Sequence, residues 1–166
     1  TFGGGGMTVT QIPTLVIDGG SIYTGKFNTI GNVTMRNGGA LINSSQETSG
    51  SYKAYQFIGD ITVDGSGAGV TMSNSGNNVA ATGNHLKGGG STTFTVGDIT
   101  GSSAADLTIS SALLDGSGDY SGKGALIKAG AGTMVLSGSN TYTGNTTIND
   151  GTLELTSTGK MYNGGY

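Results

Sequence analysis

The stretch GAGTMVLSGSNTYTGNTTINDGTLEL, Gly130 to Leu155, decides how this chain is read. It has almost no charge and no Pro. Apolar side chains stand singly at every second position, between runs of Gly, Ser, Thr and Asn. A period of two marks a strand with one face buried. Gly, Ser and Asn between such strands are turn formers. The stretch therefore reads as very short strands joined by tight corners.

The same pattern recurs upstream. LVIDGG at Leu15–Gly20, VTMRNGG at Val33–Gly39, ITVDGSG at Ile61–Gly67 and VTMSNSG at Val70–Gly76 each place an alternating apolar run before a turn. LTISS at Leu107–Ser111, ALLDGSG at Ala112–Gly118, MVLSGSN at Met134–Asn140 and TLEL at Thr152–Leu155 continue the series. Leu15 and Ile17 share one face, as do Val33 and Met35, Ile61 and Val63, and Leu107 and Ile109. Helical spacing is nearly absent. The best helical candidate, Ala104–Leu114, contains Thr108, Ile109, Ser110 and Ser111, which favour extended chain.

The runs begin near Leu15, Val33, Ile61, Leu107, Met134 and Leu153. The gaps are about 18 to 28 residues, apart from one near 46 that holds a skipped unit around Thr92–Val96 or Asn78–Thr82. A fuzzy period of this size is the mark of a solenoid, in which each coil buries its apolar face only against its neighbours. Sandwich strands are longer, and hairpin signals come in pairs. The predicted fold is all-β: one right-handed parallel β-helix over residues 1–166, of about seven coils and roughly 35 Å. Phe27, Phe57 and Phe94 are expected to cap or fill wider levels. Asp18, Asn37 and Asp64 occupy equivalent turns, either as a hydrogen-bonded ladder or as water-exposed turn formers.

Composition bounds the function. Of 166 residues, 34 are Gly, and Gly, Ser, Thr and Asn exceed half the chain. A flexible linker would share that bias, but 34% hydrophobic residues in alternation and a single Pro oppose it. Lys+Arg number 7 against 10 Asp+Glu, and Arg36 is the only arginine. Nucleic-acid binding needs clustered cations and is not expected. No apolar run reaches membrane-spanning length, so no membrane insertion by this segment is expected. Absence of Cys suits export through an oxidising compartment. TFGGGGMTVTQ at the start looks like a mature or excised terminus. The Gly-rich ends, TFGGGG and MYNGGY, carry no obvious polar cap. Either neighbouring sequence continues the stack, or copies of the chain occupy the open coil edges.

With the strands placed, the segment ALIKAGAGTMVLSGSNTYTGNTTINDGTLEL, Ala125 to Leu155, closely resembles the passenger-associated (autotransporter-associated β-strand) repeat of bacterial autotransporters. The residues carrying the resemblance are Lys128, then Gly130, Gly132, Thr133, Met134, Leu136, Ser137 and Gly138. They continue with Asn140, Thr141, Tyr142, Thr143, Gly144 and Thr146, and end with Gly151, Thr152 and Leu153. Met134 is the one departure, where the family usually has Leu. Outside 125–155 the chain resembles the family only in style. Met134, Leu136, Ile148, Leu153 and Leu155 are expected to point inward. Gly138, Gly144 and Gly151 are expected to make sharp corners with φ > 0, and the Tyr142 hydroxyl to reach a backbone group over a corner. The resemblance implies a secreted or surface-displayed β-helix, usually part of a longer passenger. In that family such repeats are associated with efficient export.

A search for chemistry finds little. His85, in ATGNHLKGGG, is the only histidine and reads as a plain surface residue. No nucleophile elbow is present. A glycan-active enzyme on a β-helix would draw on Asp60, Asp64, Asp98 or Asp106, yet each sits in a turn context and cations are scarce. DGSG at Asp64–Gly67 and DGSGD at Asp115–Asp119 offer short oxygen spacings, so Ca²⁺ at Asp115/Asp119 is left open. In SYKAYQF, Ser51–Phe57, Tyr55 and Phe57 read as core, with an exposed Tyr face for sugar or protein as the alternative.

The leading expectation is a non-enzymatic extracellular segment, structural or adhesive, with no cofactor and with a host or glycan surface as partner. A self-assembling fibre subunit stacking through its open coil edges is the second. The glycan-active enzyme is the third.

Overall fold

The structure is a computed structural model and describes residues 13–24, 27–44, 54–75 and 83–161. Among these, eighteen strands β1 to β18 wind into six coils. The first coil is β1 (Leu15–Asp18), β2 (Ser21–Thr24) and β3 (Asn28–Ile30), and the second is β4 (Val33–Arg36), β5 (Ala40–Ser44) and β6 (Tyr55–Phe57). The third is β7 (Ile61–Val63), β8 (Val70–Ser75) and β9 (Gly83–His85). The fourth is β10 (Gly90–Val96), β11 (Leu107–Ile109) and β12 (Ala112–Leu114). β13 (Gly124–Ala129), β14 (Thr133–Leu136) and β15 (Ser139–Asn140) make the fifth, and β16 (Thr146–Ile148), β17 (Thr152–Leu155) and β18 (Lys160–Met161) the sixth.

Every strand pairing is parallel, and strands three apart in the chain are neighbours in space. The first sheet runs β1-β4-β7-β10-β13-β16 and the second β2-β5-β8-β11-β14-β17. The third runs β3-β6-β9-β12, and β15 pairs β18. This is the predicted parallel β-helix. Thr92–Val96 does belong to the skipped unit, as part of β10, whereas Asn78–Thr82 lies outside the described residues. Leu107, Met134 and Leu153, however, lie in strands of the second sheet, while Leu15, Val33 and Ile61 belong to the first. Insertions at 97–105 and 115–123 stretch the coil there, which is why a single period did not fit.

Register makes the core. Leu15, Val33, Ile61, Phe94, Lys128 and Ile148 stack in one column of the first sheet. Ile22, Leu41, Met72, Ile109, Leu136 and Leu155 stack in one column of the second. Val33, Met35, Ile61, Met72, Phe94, Leu107 and Ile109 are inaccessible to solvent. Phe57 meets Phe94 edge to face, with centroids 6.4 Å apart. Both therefore fill the core as expected, whereas Phe27 is only half-buried, against His85. On the outer face Thr34, Thr62 and Thr95 form a hydroxyl row.

The third sheet differs. In β3, β6 and β9 all residues are buried, so both faces are covered and alternation disappears. Tyr55 and Phe57 are core, as the alternation in SYKAYQF suggested, but Gln56 between them is buried as well. Tyr52 lies outside the described residues. Between the fourth and fifth coils this sheet is interrupted. The Leu113 amide donates to the Asn140 side-chain oxygen at 2.9 Å rather than to a strand carbonyl.

Turn polarity splits between the two readings offered for Asp18, Asn37 and Asp64. Asn37 donates to Asp18 across coils at 2.6 Å. Asp64 instead binds Arg36 with both oxygens, at 3.0 and 3.2 Å.

Column packing predicts an asymmetric sensitivity. Phe94→Ala should cost about 3–5 kcal/mol in urea unfolding, whereas Val16→Ala, on the exposed face, should stay within about 0.5 kcal/mol. Equal costs would contradict the column assignment.

Candidate functional site

The repeat segment spans the fifth and sixth coils, and two of its polar residues, Lys128 and Asn140, are buried. Lys128 occupies an inward position of β13 and has no exposed surface. Its place in the column lies between Phe94 below and Ile148 above. An ammonium buried in such a column must find acceptors or lose its charge. Nζ donates to the carbonyls of Ala129 at 3.0 Å, Gly130 at 2.6 Å and Asp150 at 3.1 Å. The first two belong to its own corner and the third to the corner of the next coil. Burial lowers the Lys128 pKa, against which the negative charges of Asp150 and Asp106 act.

Asp106 is the counterpart on the other side of the same corner. It is buried and uses both oxygens. Oδ1 accepts the Ile99 amide at 2.9 Å and the Thr100 amide at 2.8 Å; Oδ2 accepts the Thr133 amide at 2.7 Å. Burial alone would raise its pKa. The hydrogen bonds from Thr133, Thr100 and Ile99 outweigh that and hold it below the usual carboxylate range. One carboxylate thus ties the 97–105 insertion, its own coil and the next coil together.

Glycines of the repeat serve two different needs. Gly151 has φ +69°, and Gly130 has φ +77°, a region that suits a residue without Cβ. Gly138 and Gly144 do not have positive φ, contrary to expectation. At Gly138 a Cβ would fall 2.5 Å from the Ser111 carbonyl oxygen, and at Gly144 it would meet the Gly124 carbonyl. Gly132 is likewise pressed against the Gly97 carbonyl. These positions need glycine because one coil's corner lies directly on the next.

The remaining motif residues close the coil. Met134 and Leu136 are core. Thr133 offers its amide to Asp106, and the Ser137 amide donates to the Ile109 carbonyl at 2.9 Å. Asn140 is buried and also donates to the Gly138 carbonyl at 3.1 Å. Tyr142 is buried, and its hydroxyl meets the Thr146 hydroxyl at 2.6 Å and the Met161 sulfur at 3.2 Å. Its partners are side chains of the next coil, not the backbone group expected from the sequence. Leu153 pairs with Met134 in register and is half-buried. Ile148 and Leu155 hold core columns yet are 52% and 42% exposed, because no described coil lies above them.

Other candidates take structural places. Asp60 accepts the Thr93 amide at 2.8 Å, and Asp98 the Gly101 amide at 2.9 Å. Asp115 accepts the Gly124 and Thr143 amides at 2.9 and 2.8 Å and the Thr143 hydroxyl at 2.7 Å. Burial would raise its pKa, but the bonds from Gly124 and Thr143 and the charge of Lys123 lower it overall. Its two oxygens point at donors rather than toward Asp119. No cluster of three His, Cys, Asp or Glu suited to a metal occurs among the described residues. His85 is not a surface residue: it is 9% exposed, with Nδ1 2.6 Å from the Asp115 carbonyl. A ladder that the sequence reading missed runs inside the corner between the second and third sheets. Asn43 donates to Asn74 at 3.0 Å and to Asn84 at 3.2 Å, and Asn84 to the Ser111 hydroxyl at 2.8 Å. Asn or Ser recurring at or just beyond the ends of the second-sheet strands, as at Asn43, Asn74 and Ser111, was the available signal.

Two tests follow from this corner. Lys128→Met should leave three carbonyls without their donor and lower stability by about 1–3 kcal/mol. The loss should show first as faster hydrogen exchange at the Asn149 and Thr152 amides. Asp106 and Asp115 have depressed folded-state pKa values, so their stabilisation is present above about pH 4 and is lost as pH falls through the folded values. Urea midpoints should drop in that window. Asp106→Asn should flatten the drop and destabilise at neutral pH, because its amide group would face a donor.

Comparison with known proteins agrees with this geometry. The family model described as passenger-associated-transport-repeat matches residues 126–155. The chain is also similar to the adhesin BmaC autotransporter of Brucella suis biovar 1 (strain 1330), 37% identical over 111 residues, which cover 56% of this chain and 3% of that protein. The chain thus spans a small fraction of the curated relative it matches. No solved structure matches it. The stacked parallel coils thus carry a passenger-associated-transport-repeat at residues 126–155, and over 111 residues the chain is similar to an autotransporter adhesin.

Proposed function

We propose that this segment is a non-enzymatic adhesin rod, a single unit over 1–166, in which residues 125–155 drive export by stepwise folding and the insertions display loops to a host or glycan surface. The observation that carries the reading is the direction of the Lys128 bonds. Its ammonium is completed only by the Asp150 carbonyl of the next coil. A buried cation with an open donor favours docking of whatever coil arrives next. Tyr142 and Asp106 likewise reach from one coil into the following one. Folding that proceeds coil by coil outside the cell would pull the remaining chain outward without a nucleotide fuel. Adhesion is supported by the similarity to the BmaC autotransporter, an adhesin. An enzymatic role is poorly supported: Asp60, Asp98 and Asp106 are spent on backbone amides and Asp64 on Arg36.

The second reading, assembly of copies end to end, is favoured by one feature. Ile148, Leu155 and Met161 are exposed at the last coil, beside strands β16, β17 and β18 whose outer edges are unpaired among the described residues.

For the export reading, the segment would be fused ahead of an autotransporter barrel and its surface display measured. Lys128→Met is expected to lower display several-fold relative to Val16→Ala; equal display by both would sink it. For the assembly reading, light scattering over a concentration series should show mass growth. A constant monomer mass would remove that alternative.

A further inference from the structure

Between β12 and β13 the chain leaves the coil, and Asp115–Lys123 folds back over the third sheet. The excursion is closed on itself by the Gly116 amide donating to the Gly122 carbonyl at 2.9 Å, with a short 3-10 turn at Gly118–Tyr120. It is anchored at several levels of the stack. The Ser117 amide donates to the Gln56 side-chain oxygen in the second coil at 2.8 Å. The Lys123 carbonyl accepts the Gly89 amide at 2.9 Å. Asp115 binds Thr143 in the fifth coil. Gln56 is itself fixed, since its nitrogen donates to the Leu86 and Phe57 carbonyls at 2.8 and 3.0 Å.

His85 sits beneath this excursion. In register it lies between Gln56 and Leu114, and its ring is 5.5 Å from that of Phe27. Nδ1 donates to the Asp115 carbonyl at the root of the excursion. Nε2 is buried and has no hydrogen-bond partner among the described residues. The neutral ring with its proton on Nδ1 meets this arrangement at small cost. A second proton would place an N–H⁺ at buried Nε2, which meets no acceptor among the described residues.

We propose that Asp115–Lys123 is a strap across the coils which His85 holds down when neutral and releases when protonated. To hydrate Nε2 the protonated ring must leave its place between Gln56 and Leu114, and in leaving it breaks the Nδ1 bond to Asp115. The charged groups near it among the described residues are few. Asp115 attracts the proton, but its carboxylate is already engaged by Gly124 and Thr143. Asp119 and Lys123 lie on the strap, and Lys87 follows β9. Gln56, Leu114 and Phe27 are uncharged. Burial prevails and lowers the His85 pKa, partly opposed by the Asp115 carbonyl bond and charge. The sign follows: strap attachment is complete above the ordinary histidine range near about 6.5 and weakens as pH falls below it.

The test is hydrogen exchange of the whole chain at about pH 7.5 and about pH 5, corrected for intrinsic rates, with the His85 ring followed by NMR. The Ser117 amide should lose protection by about tenfold or more at the lower pH while Ser137, in the second sheet, keeps its own. In His85→Asn the amide nitrogen takes the place of Nδ1 and nothing titrates, so the Ser117 difference should vanish. Unchanged Ser117 protection in the wild-type chain overturns the proposal, whether or not the variant folds. So does His85→Asn retaining the wild-type pH response.

Discussion

Vertical registry is the constraint on which everything else in this molecule depends. Coils are joined by parallel hydrogen bonds at roughly 4.8 Å, and that spacing leaves no freedom to stagger side chains. A residue's neighbours are therefore its counterparts one coil below and one above. Phe94 rests on Ile61 and carries Lys128; Leu136 rests on Ile109 and carries Leu155. The core enclosed by the coils is a few columns wide, so a misfit in one column is passed to the coils above and below it. Corners are stacked as tightly as strands, so Gly138 lies on the Ser111 carbonyl with no room for a methyl group.

The same registry explains how so polar a chain keeps a polar interior. In a globular core a buried amide or ammonium needs a partner brought from elsewhere in the chain. Here the next coil supplies one at a fixed height. Asn43, Asn84 and Ser111 answer one another across coils, and Lys128 and Asp106 are met by main-chain groups rather than by each other. Each charge is neutralised by several peptide dipoles, which satisfies hydrogen bonding without the geometric demands of a buried ion pair.

Much of this was legible in the sequence, for a physical reason. Strands with one wet face print a period of two, and LVID, VTMR, ITV and TMVL all do so. What alternation cannot tell is which sheet a strand joins, because the first and second sheets have the same inner face. Leu107 and Met134 looked like coil starts on that account. The third sheet was harder still. Once the strap covers its outer face, Tyr55, Gln56 and Phe57 are all buried and no pattern is left. His85 looked exposed because its cover is more distant in sequence than any local window. Within the repeat, Met134 and Leu136 were placed by pattern. The role of Lys128 was not, since nothing local shows that Asp150 comes to lie one coil above it.

The columns that reach Ile148 and Leu155 show how such a stack couples its distant parts. In a linear stack each coil is held by its interfaces with the coils beside it, so its opening free energy depends on whether both interfaces are made. A coil seated on Ile148 and Leu155 would therefore steady β16 and β17 directly and, through them, coils it never touches.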